Sequence, residues 1–156
     1  MNEAKPIRRL LASLLAVAGL TLGIVTVAPE AQAASPADRC PRGALCFYFN
    51  SDWNGAQANF YRPVDGFLGN DRFRRGSGYR PGNGVGVPVG NNAASVINRT
   101  GHAVFLSDGT QCTGRSRQIN PGATRNLAAI GLKNQVSSFM AHQVGAGAAC
   151  VGDGMR

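Results

Sequence analysis

The sequence predicts an all-β domain, a sandwich or barrel assembled from two copies of one unit. First, an ordered pair of motifs occurs twice. Tyr48-Phe49-Asn50-Ser51-Asp52-Trp53-Asn54-Gly55 is followed by Asn91-Asn92-Ala93-Ala94-Ser95. A weaker copy, Ser107-Asp108-Gly109-Thr110-Gln111-Cys112-Thr113-Gly114, is followed by Lys133-Asn134-Gln135-Val136-Ser137-Ser138. Repeated sequence means repeated structure. Second, beyond the amino-terminal region no window of eleven or more residues carries a helical apolar stripe with caps. Third, Gly, Asn, Ser and Thr place turn signals about every ten residues, the spacing of short strands in sandwiches and barrels.

Lys5, Arg8 and Arg9 precede an apolar run from Leu10 to Val27, then Pro29 and Ala31-Gln32-Ala33. A basic start, an apolar stretch and an A-x-A site are the marks of a secretory signal peptide, here residues 1–33. A single membrane anchor competes with it, because such a run nearly spans a bilayer. Gly19, Thr21, Gly23 and Thr26 thin the run, and the small-residue site follows at the right distance. Residues 34–156 then form one domain of ordinary size. That part holds twelve arginines, one lysine (Lys133), six aspartates and no glutamate. So basic a balance suits acidic surfaces or cell-wall polymers, with simple solubility as the competing reading. Export removes nucleic acid as a physiological partner. Membrane contact is expected only through the leader, and the domain is expected to be an extracellular monomer.

Cys40, Cys46, Cys112 and Cys150 all lie in the exported part. An even count in a small secreted chain reads as two disulfides, for which three pairings exist. Cys40 and Cys46 enclose Pro41-Arg42-Gly43-Ala44-Leu45, a short loop that Pro and Gly close easily. That leaves Cys112 with Cys150, tying the tail to the second repeat. A zinc site is the weaker alternative, since neither His102 nor His142 falls at finger-like spacing from a cysteine pair.

From Leu45 to Phe60, short aromatic and apolar runs are broken by Asn50-Ser51-Asp52 and Asn54-Gly55, which predicts two strands joined by a turn. Residues 66–90 hold Arg72, Arg74, Arg75 and Arg80 among many glycines, with few residues suited to a core. Repeat one is longer than repeat two by this stretch, so it is expected to be a long surface loop inserted in the first unit. From Ala123 to Leu132 one helical turn is expected, after Pro121-Gly122. The tail from 142 is small-residue and featureless up to Cys150.

The paired pattern resembles the βγ-crystallin Greek key, in which a Tyr-x-x-x-x-aromatic-x-Gly hairpin opens each four-stranded key and an amide-amide-x-x-Ser-Ser segment closes it. Leu45-Cys46-Phe47-Tyr48 through Trp53-Asn54-Gly55 matches the opening element. The string from Cys40-Pro41-Arg42-Gly43-Ala44-Leu45-Cys46 through Trp53 looks more specifically like the secreted actinobacterial metalloproteinase-inhibitor family. Asn91 to Asn98, Cys112-Thr113-Gly114, Pro121-Gly122-Ala123 and Asn134 to Phe139 resemble it too. The resemblance implies a βγ-crystallin-like sandwich of two Greek keys, about 44–98 and 101–141. In repeat two, Ser107 stands at the tyrosine position and Cys112 at the second aromatic.

The resemblance implies a proteinaceous inhibitor of extracellular peptidases, metalloproteases foremost, that occupies the active-site cleft and is not an enzyme. Its contact loop would be Cys112, Thr113, Gly114 and Arg115, with Arg72, Arg74, Arg75 and Arg80 as a second basic contact. The second cysteine that stiffens this loop in the best-known inhibitors is missing after Cys112, and Thr113 is small where a thermolysin-like pocket prefers a bulky apolar residue. The alternative is a non-inhibitory module that binds calcium or an anionic envelope component. Calcium would use carbonyls and hydroxyls of the closing segments, with Asn91, Asn92, Ser95, Asn134 and Ser137 as candidates. Neither segment offers a carboxylate and Lys133 adds repulsion, so no cofactor is required and calcium affinity is expected to be weak. His102, Asp108 and Ser107 or Ser137 form a triad only on paper; no nucleophile-elbow or zinc-helix motif accompanies them.

Overall fold

Eight short strands account for the sheets of residues 39–74 and 83–142, the parts of the chain described by this computed structural model. They are β1 (Leu45–Tyr48), β2 (Gln57–Phe60), β3 (Val64–Asp65) and β4 (Ser95–Asn98), then β5 (Val104–Ser107), β6 (Ser116–Ile119), β7 (Thr124–Asn126) and β8 (Ser138–Ala141). The chain divides into the units Met1–Gln32 and Ala33–Arg156. The expected leader, Arg75, Arg80, Cys150 and nearly all of the tail lie outside the described residues.

Two antiparallel sheets form, ordered β2-β1-β4-β7 and β3-β8-β5-β6. Each of the two repeats, β1 to β4 and β5 to β8, gives three strands to one sheet and its third strand, β3 or β7, to the other. This exchange makes the two halves interdependent.

The hairpins β1–β2 and β5–β6 fold over through matching corners. Asp52 and Trp53 have φ of 56° and 55°, and Gln111 and Cys112 have 53° and 56°. Gly55 and Gly114 close the two corners, each at φ 76°. A left-handed backbone costs an ordinary residue roughly 1–2 kcal/mol, so these corners need support from outside the hairpin.

Between the sheets lie Leu45 and Phe47 of β1, Phe60 of β2, Val96 of β4, Val104 and Leu106 of β5, Ile119 of β6 and Phe139 of β8. Phe139 meets Phe60 edge-on with ring centres 5.3 Å apart, and Phe47 at 6.2 Å. Phe105 points away from this core and packs its half-buried ring near His142. The outer face of β1 is covered as well. Cys46, Tyr48 and Ile97 cluster there with Cys40 and Ala44, under the Cys40–Cys46 disulfide and beside Trp53.

The stretch 66–90 departs from expectation. Among its described residues Leu68, Phe73 and Val89 are fully buried, and Phe73 meets Phe49 edge-on at 5.7 Å. Phe73 N–H donates to Val87 O and Gly86 N–H donates to Phe73 O, so the segment doubles back as a ladder. Alternation explains the misreading: Arg72 and Arg74 flank a single buried aromatic, and glycines dilute the rest of the pattern. The expected helical turn forms as a 3-10 turn at Leu127–Ile130, ended by Gly131 at φ 72°.

Candidate functional site

The turn between β5 and β6 is exposed from Thr113 to Arg115 and held from three sides. Gln111 N–H donates to Gly66 O at 2.8 Å, which docks the turn on the segment after β3. Cys112 N–H donates to the Ser138 hydroxyl at 2.9 Å, and that hydroxyl donates to Gly109 O at 2.6 Å. Asp108 accepts the Arg115 backbone N–H at 2.7 Å, and its other oxygen lies 3.4 Å from Arg115 Nε. The Arg115 guanidinium also reaches Gln135 Oε1 at 2.7 Å. Inside the turn, Gly109 N–H donates to Thr113 O, and the Thr113 hydroxyl donates to Thr110 O. Cys112 is left-handed, whereas Thr113 is extended at φ −89°, ψ 174°.

Cys112 takes part in a disulfide, and the expected pairing ends on Cys150, outside the described residues. Cys40 and Cys46 are bonded to each other as expected.

The first hairpin repeats this architecture and sets the register of the two repeats. Trp53 N–H donates to the Ser95 hydroxyl at 3.0 Å, and Ser95 donates to Asn50 O at 2.7 Å. Ser95 therefore corresponds to Ser138, one residue beyond the expected Ser137. The crossed bonds Asn91 N–H to Val136 O and Asn134 N–H to Ala93 O confirm this register. In it Ala94 corresponds to Ser137, Asn92 to Gln135 and Gly90 to Lys133.

Of the calcium candidates, Ser95 is taken up by the hairpin corner and Ser137 donates to Asn91 Oδ1 at 3.1 Å. Asn92 donates to Gly90 O. Asn92 and Asn134 line a cavity of about 220 Å³ together with Lys133. Among the described residues no three acidic, His or Cys side chains converge where a metal ion would sit. His102 precedes β5 and Asp108 follows it, so a strand's length of roughly 13 Å lies between the two triad candidates.

Arg72 and Arg74 face solvent on one wall of a polar groove of about 330 Å³, whose other wall is the edge strand β2. Arg74 pairs with Gln57 through two backbone bonds, and Arg72 bridges to Pro88. Arg72 Nη1 donates to Gly69 O at 2.7 Å. Nearby, Arg62 Nη2 joins the buried Asp65 to Asp71, with a distance of 2.8 Å to Asp71 Oδ2. Burial, and then the Asp65 carboxyl beside it, raise the Asp71 pKa to about 6 against the opposing pull of Arg62.

Sequence reasoning missed the supports: Asp108 and Ser138 at the second corner, and the Arg62–Asp65–Asp71 bridge. It also missed Phe67, an exposed phenylalanine directly after Gly66, on which the second turn docks. The paired serines of the second closing segment drew attention to Ser137 and Ser138, but the unequal lengths of the two repeats left the match to Ser95 one residue off. The others lie only a few residues from their partners, Arg62 from Asp65 and Asp71 and Asp108 from Arg115, but no motif or repeat singles them out.

A solved structure from work on the evolution of the eye lens beta-gamma-crystallin domain fold superposes at TM-score 0.52 with 13% identity, covering 65% of this chain and 88% of the other. A betagamma-crystallin from an archaeon (TM-score 0.46, 13% identity) covers 65% of this chain and 99% of its own. A betagamma-crystallin domain from Clostridium beijerinckii (0.46, 16%) covers 63% and 95%. No curated protein matches the chain significantly. The superposition at 0.52 speaks for the fold alone. The family model for peptidase inhibitor family I36 matches residues 33–119, more than half of the chain, from before the Cys40–Cys46 arch through the braced turn and β6. With its fold and that match in agreement, this chain belongs to peptidase inhibitor family I36, and it acts on peptidases as an inhibitor rather than as an enzyme.

Proposed function

We propose that the protein is exported and inhibits an extracellular metalloprotease by seating the β5–β6 turn in the active-site cleft. The observation that carries this reading is the bracing of Thr113–Arg115 by Asp108, Arg115 and Ser138. A loop already ordered in its bound shape loses little conformational entropy on binding. Here hydrogen bonds do the work that a second cysteine would do. Thr113 O is engaged by Gly109 and Cys112 is left-handed, so the turn docks as a folded tip rather than as an unwound strand. Phe67, exposed next to the Gly66 on which the turn docks, offers a bulky apolar group that Thr113 lacks. Export is supported by the leader pattern and by the Cys40–Cys46 disulfide.

Titration of the mature protein into a thermolysin-like enzyme and a serine protease tests the reading. The metalloprotease is expected to be inhibited and the serine protease spared. No inhibition of the metalloprotease at micromolar concentration would sink it. Asp108→Ala is expected to weaken inhibition at least about tenfold, a change of about 1.4 kcal/mol. Phe67→Ala is expected to weaken it similarly with little effect on melting. A second reading, contact with an anionic envelope component, draws on Arg72 and Arg74 in their groove. Cosedimentation with purified cell walls checks it.

A further inference from the structure

The pseudo-twofold repeat places a cluster of polar residues beside each hairpin, between it and the closing segment of the other unit. Beside the first hairpin is the cavity of about 220 Å³ walled by Phe49, Asn50, Ser51, Asn92, Ala94, Lys133 and Asn134. By the register set above, the matching side chains beside the second are Asp108, Gln135, Ser137 and Asn91.

A βγ-crystallin-like fold raises the question of calcium at both places. A hard divalent cation needs six to eight oxygen ligands, several of them anionic. The first recess offers no carboxylate. Lys133, a cationic residue, forms part of its wall, and Ala94 puts a methyl where the other unit has a hydroxyl. The second cluster does have a carboxylate, but Asp108 is taken up by the Arg115 backbone N–H and lies 3.4 Å from its guanidinium. That guanidinium also holds Gln135, while Ser137 and Asn91 bond each other. Each cluster thus already carries a positive charge on a side chain, and the donor sets do not fit calcium.

We infer that Lys133 and Arg115 are tethered substitutes for metal ions: each supplies from the chain itself the positive charge between hairpin and closing segment, so the domain neither needs nor binds calcium. Residues from non-equivalent positions line the two places, Lys133 the cavity beside the first hairpin and Arg115 the Asp108–Gln135 cluster beside the second. That argues against a chance surface charge.

The experiment is differential scanning calorimetry of the mature protein in millimolar calcium and in chelator, with terbium luminescence as a direct probe of a cation site. The native protein is expected to melt at one temperature in both and to give no luminescence. Lys133→Asp combined with Ala94→Ser is expected to create a calcium response of several degrees, reversed by chelator. A native melting temperature that rises with calcium, or terbium luminescence displaced by calcium, would overturn the inference. So would a folded double variant without any calcium response. If that variant does not fold, Lys133→Gln decides: a drop of a few degrees supports the tethered charge, and an unchanged or raised melting temperature refutes it. These readouts do not involve a protease, so they stand or fall apart from the inhibition assay.

Discussion

Ser95 and Ser138 are the residues on which the two hairpin corners depend. Each buried hydroxyl accepts a backbone N–H from a left-handed residue and donates to a carbonyl of the same corner. Ser138→Ala strands both groups, and denaturant titration is expected to show a loss of about 1–3 kcal/mol. Tyr48 is the opposite case. Its ring is buried, its phenol has no hydrogen-bond partner among the described residues, and burial pushes its pKa upward. Tyr48→Phe removes an unmet polar group, so the same titration is expected to show no loss or a gain of up to about 1 kcal/mol. Asp71 adds a pH signature. Its folded pKa of about 6 lies above its ordinary 3.8, so folding favours the protonated acid. That contribution is complete below about pH 4 and is lost as pH rises through 6. Asp71→Asn is expected to flatten the fall in melting temperature between pH 4 and 7; an unchanged slope counts against the assignment.

At the scale of elements, the 66–90 insertion is the segment whose reading the structure changes most. Arginine and glycine content suggested a surface loop, yet Phe73, Leu68 and Val89 are core residues. Phe73→Ala is expected to cost about 3–5 kcal/mol in denaturant titration, as for an aromatic deleted from a packed interior. A loss below about 1 kcal/mol would mean that the insertion is peripheral. The β1–β2 hairpin was legible because its aromatic pair and Asn-Gly turn are local signals. The β5–β6 turn was legible as a location, from its alignment with the first hairpin. Its stiffness was not legible, because Gly66, Gln135 and Ser138 reach it from distant segments of the chain.

For the molecule as a whole, the exchange of β3 and β7 couples the two units, and the Cys40–Cys46 arch closes the outer face of β1 over Cys46, Tyr48 and Ile97. A loop this short contributes roughly 2.5 kcal/mol in the chain-entropy picture. Cys40→Ala with Cys46→Ala is expected to lower unfolding free energy by about that much or somewhat more, since the arch also covers apolar surface. Unfolding is expected to stay a single transition, because neither sheet is complete without both units; two separate transitions would contradict the strand exchange.

The sequence by itself determined the fold class, the duplication, the short disulfide and the place of the exposed turn. Each is written in residues close together along the chain or repeated at a fixed interval. Only the tertiary structure decided that Ser138 rather than Ser137 matches Ser95, that Phe73 is core, and that Arg115 braces its turn against Gln135. Those facts depend on which strands lie side by side, and strand exchange between units brings together residues that no spacing along the chain connects.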